Sequence, residues 1–181
     1  MARIIMVDPA EATGKTKELL DVVKAKMGMV PNMMRTMANS PAVLSGYLGF
    51  SSGLSTSSLG GKLGELIALT VANENGCNYC NSAHSFVAGK MGIKDQDVAD
   101  ARHASSTDPK INAALTFSKE ILNSRGAVSE EALSSVRAAG YNDQEIVEIL
   151  AQVSLSIFTN YVNILADTDI DFPKQPPIEK K

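Results

Sequence analysis

Residues 75–84 read NGCNYCNSAH and hold both cysteines of this 181-residue chain, together with His84, one of its two histidines. Residues of these types at this spacing suit three kinds of site. A structural zinc ion takes a full tetrahedral set of Cys and His ligands. The C-x2-C-x3-H run offers three, so the last would have to be His103, a carboxylate or a residue of another subunit. Two free cysteines can also serve as small buried hydrophobes. The third use is redox chemistry. In regular helix, side chains three apart keep their Cβ atoms about 5–6 Å from each other, whereas a disulfide wants about 3.5–4.5 Å. A C-x-x-C pair therefore closes readily where its first cysteine opens a helix, and Asn75-Gly76 supplies a break just before Cys77. The free N–H groups and dipole of a helix N-terminus also favour a thiolate. This argument alone points to Cys77 as the more activated thiol. His84 follows Cys80 by four residues and Cys77 by seven, so the three share one helical face. Its imidazole could take a thiol proton directly or through water.

Glu65 stands in LGELIALTVA, a segment otherwise apolar enough to be buried. It either faces solvent on the first turn of its helix or orients His84 and stabilises the imidazolium. Met27, Met29, Met33, Met34 and Met37 fall within eleven residues. They are adaptable core filler or a flexible wall over the cysteine pocket. His103 reads as an exposed residue at a frayed helix end. Asn160 and Asn163 read as partners for buried backbone groups or for a subunit interface.

The elements that must position these residues are helical throughout. Asp8-Pro9 opens a segment with Leu19, Leu20, Val22 and Val23 at helical spacing, broken by GMVPN. Ser40-Pro41, an N-cap with a first-turn proline, starts a helix to about Leu54. Leu59 to Asn75 is a third, strongly apolar helix. A fourth begins near Cys77 and ends at KMG, with Gly92 as its terminal glycine. Asp95 to Ala104 is short. Asp108-Pro109 starts a helix to about Ser124, Ser129-Glu-Glu opens the next, and Asp143 starts the longest, to about Asp167. The expectation is an all-α fold in one domain over 1–172, its motif core near 59–92, with an extended tail at 173–181. At an offset of 80, ELIALTVANENGCNYCNSAH lies on EIVEILAQVSLSIFTNYVNI, placing Glu65 on Glu145 and Cys80 on Asn160. Coincidence between two apolar helices and an internal helical duplication both account for this echo.

Composition narrows the setting. Apolar residues make up 44% of the chain and aromatics only 5%, with no Trp, so aliphatic side chains and methionine must fill the core. The net charge is −3 with Lys and Arg scattered, a pattern that argues against nucleic-acid and anionic-membrane partners. MARIIMVDPAEATGK lacks the apolar stretch of a signal peptide, and the apolar runs fall short of the roughly 20 residues of a membrane span. A cytoplasmic location is expected. In that compartment a close cysteine pair is catalytic, redox-active or metal-binding rather than a structural staple.

Glu65 followed by eleven residues and then CNYCNSAH resembles the E-x11-C-x2-C-x3-H signature of the alkyl hydroperoxidase D-like branch of the carboxymuconolactone decarboxylase superfamily. LIALTVANENGCNYCNSAHSFVAGKMGI resembles that family's core. VPNMMRTMANSPAVLSGYLGF and EIVEILAQVSLSIFTNYVNILADTDIDFP resemble the flanking segments of its peroxidase-related members. The resemblance implies an all-helical homo-oligomer, a trimer or hexamer, that reduces hydroperoxides as an antioxidant peroxidase (a peroxiredoxin-type activity). By position, Cys80 resembles the peroxidatic cysteine, Cys77 the resolving one, and Glu65 and His84 the proton-relay pair. No cofactor or metal is implied. The partners implied are a hydroperoxide substrate and an external dithiol donor. The branch's second histidine, just before the second cysteine, is replaced here by Tyr79. With an ordinary pKa near 10, tyrosine is no general base near neutrality but can donate a hydrogen bond. Two other functions use the same residues: a general disulfide oxidoreductase, and a non-catalytic redox-sensing binding protein.

Overall fold

A computed structural model describes residues 2–176. Among these residues run nine helices and no strand. They are α1 Gly14–Met27, α2 Asn32–Met37, α3 Pro41–Leu54, α4 Gly60–Asn75, α5 Asn78–Lys90, α6 Asp95–Arg102, α7 Pro109–Ser124, α8 Glu130–Ala138 and α9 Asp143–Ala166. The all-α expectation holds.

Helix α4 is the centre. Residues Leu66 to Ala72 are buried without a break, as befits a helix apolar all round, and α5, α6, α7 and α9 pack around it. Its one interior hydroxyl, on Thr70, donates to the carbonyl of Ala101 at 2.7 Å and ties α4 to α6. One core cluster joins α4 to α6, α7, α8 and α9. A second joins α1, α2 and α3 to Ala72, Cys77, Tyr79 and Cys80. The cysteine segment therefore sits where the two cores meet.

Capping chemistry explains the helix starts. Ser40 accepts from the Val43 N–H, Asp108 from those of Lys110 and Ile111, and Ser129 from that of Ala132. Asn142 and Glu145 form a reciprocal capping box at the start of α9. The echoing helices α4 and α9 pack on each other, but Glu65 and Glu145 do different work: Glu145 caps a helix and Glu65 meets a histidine.

Three expectations need correction. The first helix starts at Gly14 rather than at Pro9, because Asp8 forms a turn, accepting from Ala10 with its side chain and from Ala12 with its carbonyl. The six-residue α2 was not expected; it buries Met33, Met34 and Met37, while Met27 and Met29 stay exposed. Finally, α9, with 24 residues, is long and apolar enough by length and composition to cross a membrane. Uncharged polar residues break up its apolar run without lowering its hydropathy much. Here α9 is a core helix against α4, with Ser156, Thr159, Asn160 and Asn163 buried.

Beyond α9 the chain straps back across α2 and α5. The Asp171 carboxylate accepts from the Asn32 N–H at 2.8 Å and from the Tyr79 hydroxyl at 2.8 Å. Phe172 packs edge-on against Tyr79 and tilted against Phe86. Of the tail expected at 173–181, residues 173–176 form no helix, and Gln175 is held by Ser82 and Arg102. Residues 177–181 lie outside the described residues.

The strap's anchor is testable. Asp171→Ala strips the acceptor from a buried tyrosine hydroxyl and from a helix-terminal N–H. It should cost about 1–3 kcal/mol of stability, read as a lower urea midpoint with unchanged slope. Lys174→Ala, at an exposed position beside it, should leave the midpoint unmoved.

Candidate active site

Helix α4 ends in a left-handed glycine, Gly76, with φ of 69°. The Gly76 N–H bonds the Asn73 carbonyl, and the Cys77 N–H reaches back to the Ala72 carbonyl at 2.9 Å. This pair of bonds is the Schellman motif, and a side chain at Gly76 would be strained in it. Cys77, whose N–H closes α4, is also the N-cap of α5; its sulfur accepts from the Cys80 N–H at 3.2 Å. The expected break before Cys77 is therefore real, and Cys77 does stand at a helix start. Cys77 and Cys80 are joined as a disulfide, with Cα atoms 5.4 Å apart.

Both cysteines are buried, but they face differently. A cavity of about 470 Å³ lies between the two cores, and Cys80 lines it whereas Cys77 does not. Its size falls in the range of small-molecule sites. Met33, Met34, Leu155 and Phe172 give it apolar walls, and Glu65 and His84 also line it. Among the described residues no Lys or Arg lines it.

Glu65 and His84 meet. Glu65 Oε2 lies 2.8 Å from His84 Nδ1, and both side chains are only partly exposed. The solvent-facing alternative for Glu65 is thus excluded. Burial pushes the His84 pKa down, but the charge of Glu65 and its hydrogen bond outweigh this, and the net shift is upward. The carboxylate holds Nδ1 and leaves Nε2 as the nitrogen available to the cavity.

Tyr79, the departure from the family signature, is a structural tie. Its hydroxyl accepts from the Met33 N–H at 3.2 Å and donates to Asp171. Burial foremost, with the Asp171 charge, raises its pKa above the ordinary tyrosine value, so it stays protonated. Tyr47, from α3, lines the cavity as well. Burial raises its pKa, with a smaller push from Glu65. His103 is exposed at the end of α6 and outside the cavity. Among the described residues no group of three or more His, Cys, Asp or Glu side chains could hold a metal ion.

Sequence reasoning placed Asn163 among backbone partners or at an interface. The structure puts its amide nitrogen 3.0 Å from the Thr159 carbonyl and 3.3 Å from Cys80 Sγ. The available signal was the asparagine itself, an amide in an apolar helix. Asn160, fully buried, accepts from the Asn75 amide at 2.9 Å.

Residues 41–120 match the carboxymuconolactone decarboxylase family. No curated protein matches the sequence. The fold is shared with several solved structures. An uncharacterised peroxidase-related protein from Silicibacter sp. is 21% identical, covering 92% of this chain and 91% of that one, with a TM-score of 0.81. A peroxidase-related protein with an alkylhydroperoxidase AhpD core, from Ralstonia eutropha, is 19% identical over 94% and 92%, with a TM-score of 0.84. The debrominase Bmp8, solved as a variant with 2,3,4-tribromopyrrole, is 21% identical over 93% and 91%, with a TM-score of 0.78. At such identities the likeness is one of fold. The family match spans α3 to α7, and the likeness of fold extends over more than nine-tenths of the chain.

Proposed function

We propose that this protein is a thiol-dependent peroxidase of the antioxidant kind, with Cys80 as the attacking thiol, Cys77 as the resolving one and Glu65–His84 as the proton relay. One observation carries the reading: Cys80, His84 and Glu65 line one cavity while Cys77, the disulfide partner of Cys80, stands outside it. In the proposed cycle the Cys80 thiolate attacks a peroxide oxygen and the O–O bond breaks. Cys80 becomes a sulfenic acid, and the departing alkoxide takes a proton from the relay. The Cys77 thiol then displaces the sulfenic hydroxyl as water, forming the disulfide. An external dithiol reduces the pair and is itself oxidised. The cycle calls on no bound cofactor. Apolar walls with no Lys or Arg among the described residues of the lining suit a neutral organic hydroperoxide.

The fold shared with the debrominase Bmp8 suggests a second reading, reductive dehalogenation. A bromoarene and the two thiols would give the arene, the disulfide, a proton and bromide. Mixing the dithiol protein with an organic hydroperoxide and with a bromopyrrole separates the two: thiol loss with alcohol formation supports the first, bromide release the second.

The cysteine roles are tested by single mutants given one equivalent of peroxide. Cys80→Ser should lose the first turnover. Cys77→Ser should complete one turnover and stop, leaving a dimedone-trappable sulfenic acid on Cys80. An adduct on Cys77 in the first mutant with none on Cys80 in the second would reverse the roles.

The relay is tested through pH. The folded pKa of His84 lies above the unfolded value of about 6.5. Its pairing with Glu65 therefore stabilises fully below that pH and fades as pH rises through the folded pKa. In Glu65→Gln the His84 titration, followed by NMR, should move toward lower pH. His84→Ala should slow peroxide reduction by about 10²-fold or more. An unmoved titration and an unchanged rate would remove the pair from the mechanism.

Assembly completes the proposal. Along α9, Val147, Leu150, Phe158, Tyr161 and Leu165 form an exposed, mostly apolar stripe, the kind of face that partners cover. We expect a homo-oligomer, a trimer or hexamer, with α9 at its contact. Light scattering on the wild type should give a multiple of the subunit mass, and Leu165→Asp should lower it. A single-subunit mass for the wild type would be decisive against it.

A further inference from the structure

The sulfur of Cys80 has a neighbour that the relay does not explain. Asn163 lies in the last turn of α9 and is 3% exposed. Its Nδ2 makes two contacts: the Thr159 carbonyl at 3.0 Å and Cys80 Sγ at 3.3 Å. The first settles the orientation of the amide. Rotating the side chain would set Oδ1 against the Thr159 carbonyl, two acceptors face to face. The nitrogen must therefore face the sulfur, and the contact is a donation.

The Thr159 carbonyl does not need this amide, since it lies four residues back on α9 and the helical ladder already supplies it with an N–H. A buried amide also carries a desolvation cost, and its Oδ1 has no partner among the described residues. The second N–H aimed at the sulfur is what the position gains over an apolar residue. A donor to sulfur favours the thiolate over the thiol.

We propose that Asn163 is a further catalytic residue of this chain, an amide donor on α9 that holds the Cys80 sulfur as a thiolate in the dithiol state. The inference rests on Cys80 being the reactive thiol. Asn163 differs from the other groups around that sulfur. Those that titrate are Cys77, Tyr79 and His84 from α5, Glu65 from α4 and Tyr47 from α3, with Asp171 behind Tyr79. The effect of His84 on the thiol disappears as its imidazolium loses its proton. An amide does not titrate, so its support of the thiolate persists across the pH range.

The test uses the full chain in a Cys77→Ser background, where Cys80 is the single thiol. Its pKa is read from thiolate absorbance against pH, with circular dichroism checking the fold. Asn163→Leu, close in size but without a donor, should raise the Cys80 pKa by about one to two units, as expected for a hydrogen bond to a charged acceptor. Iodoacetamide alkylation below that pKa should slow by about tenfold. Asn163→Ala, which removes the amide and adds neither bulk nor charge, should raise the pKa as well, and it decides the matter should the leucine variant not fold. In the two-cysteine protein, either change should make the pair more reducing against a glutathione buffer, since the reduced form loses stabilisation. A purely structural asparagine would lower the unfolding midpoint and leave the thiol pKa in place; that result in a folded variant overturns the inference. Failure of the peroxidase reading shows itself elsewhere, as a wild-type dithiol that consumes no peroxide. The pKa comparison still decides the role of Asn163 in that case.

Discussion

Between α4 and α5 the chain has one residue, Gly76, in which to stop one helix, and one, Cys77, in which to start the next. The Cys77 N–H closes α4 through the Ala72 carbonyl while its sulfur accepts from the first turn of α5. Its backbone is thereby held from both sides. Because α4 is buried all round, the start of α5 inherits the rigidity of the core. Cys80, a turn later, is presented to the cavity at an angle set by this junction. His84 follows one more turn along the same face and meets Glu65, which reaches it from α4 itself. The site is thus assembled from two helices joined by the tightest connection in the described chain, and the remaining elements supply walls.

Charge in those walls is sparse, which gives each charge more effect. With no Lys or Arg among the described residues that line the cavity, the cation this lining offers Cys80 is a protonated His84, and Glu65 maintains that proton against the desolvation that would remove it. Low polarity strengthens this pairing relative to water. It also disfavours an anionic ligand, which meets a carboxylate and, among the described residues of the lining, no guanidinium or ammonium. The apolar strap through Phe172, tied down by Asp171 and Tyr79, keeps this environment closed on one side. Tyr79 thus takes a position that could have carried a second histidine and uses it to anchor the wall.

What could be read from sequence followed the range of the interactions. Most of the helices, the break at Gly76 and the common face of Cys80 and His84 were legible because each is written in residues within a few turns; Cys77, in extended backbone at the N-cap, left that face. Glu65 was legible as an anomaly, a carboxylate in an apolar helix. Its partner, His84, was one of two alternatives that the residues offered, the other being solvent. Asn163 was the same kind of anomaly, but its sulfur contact joins residues 83 apart, and no local pattern encodes such a pairing. The tie of Tyr79 to Asp171 spans 92 residues and was hidden for the same reason. Helix α2, six residues long, is too short to display a period; its methionines carry the packing signal without the helical one. The turn at Asp8-Pro9 shows the converse limit, a cap-plus-proline signature that closes a turn and stops.

The two arguments over the cysteines, helix terminus against family position, reconcile once both halves of the proposed cycle are considered. Each sulfur has a donor: the Cys80 N–H for Cys77, the Asn163 amide for Cys80. Ionisation alone therefore does not choose between them; access does, and only Cys80 faces the cavity. In the oxidative half, the sulfur that peroxide can reach is Cys80. In the reductive half, a donor thiol entering by the same route meets Cys80 again, and Cys77 must depart as a thiolate. Thiol–disulfide exchange is faster when the leaving thiol is more acidic, and the start of α5 is where a departing thiolate finds an N–H and the positive end of a helix. The helix terminus that appeared to mark Cys77 as the nucleophile suits it equally as the leaving group. One disulfide can then be formed and broken from one side of the protein, with neither sulfur leaving its helix.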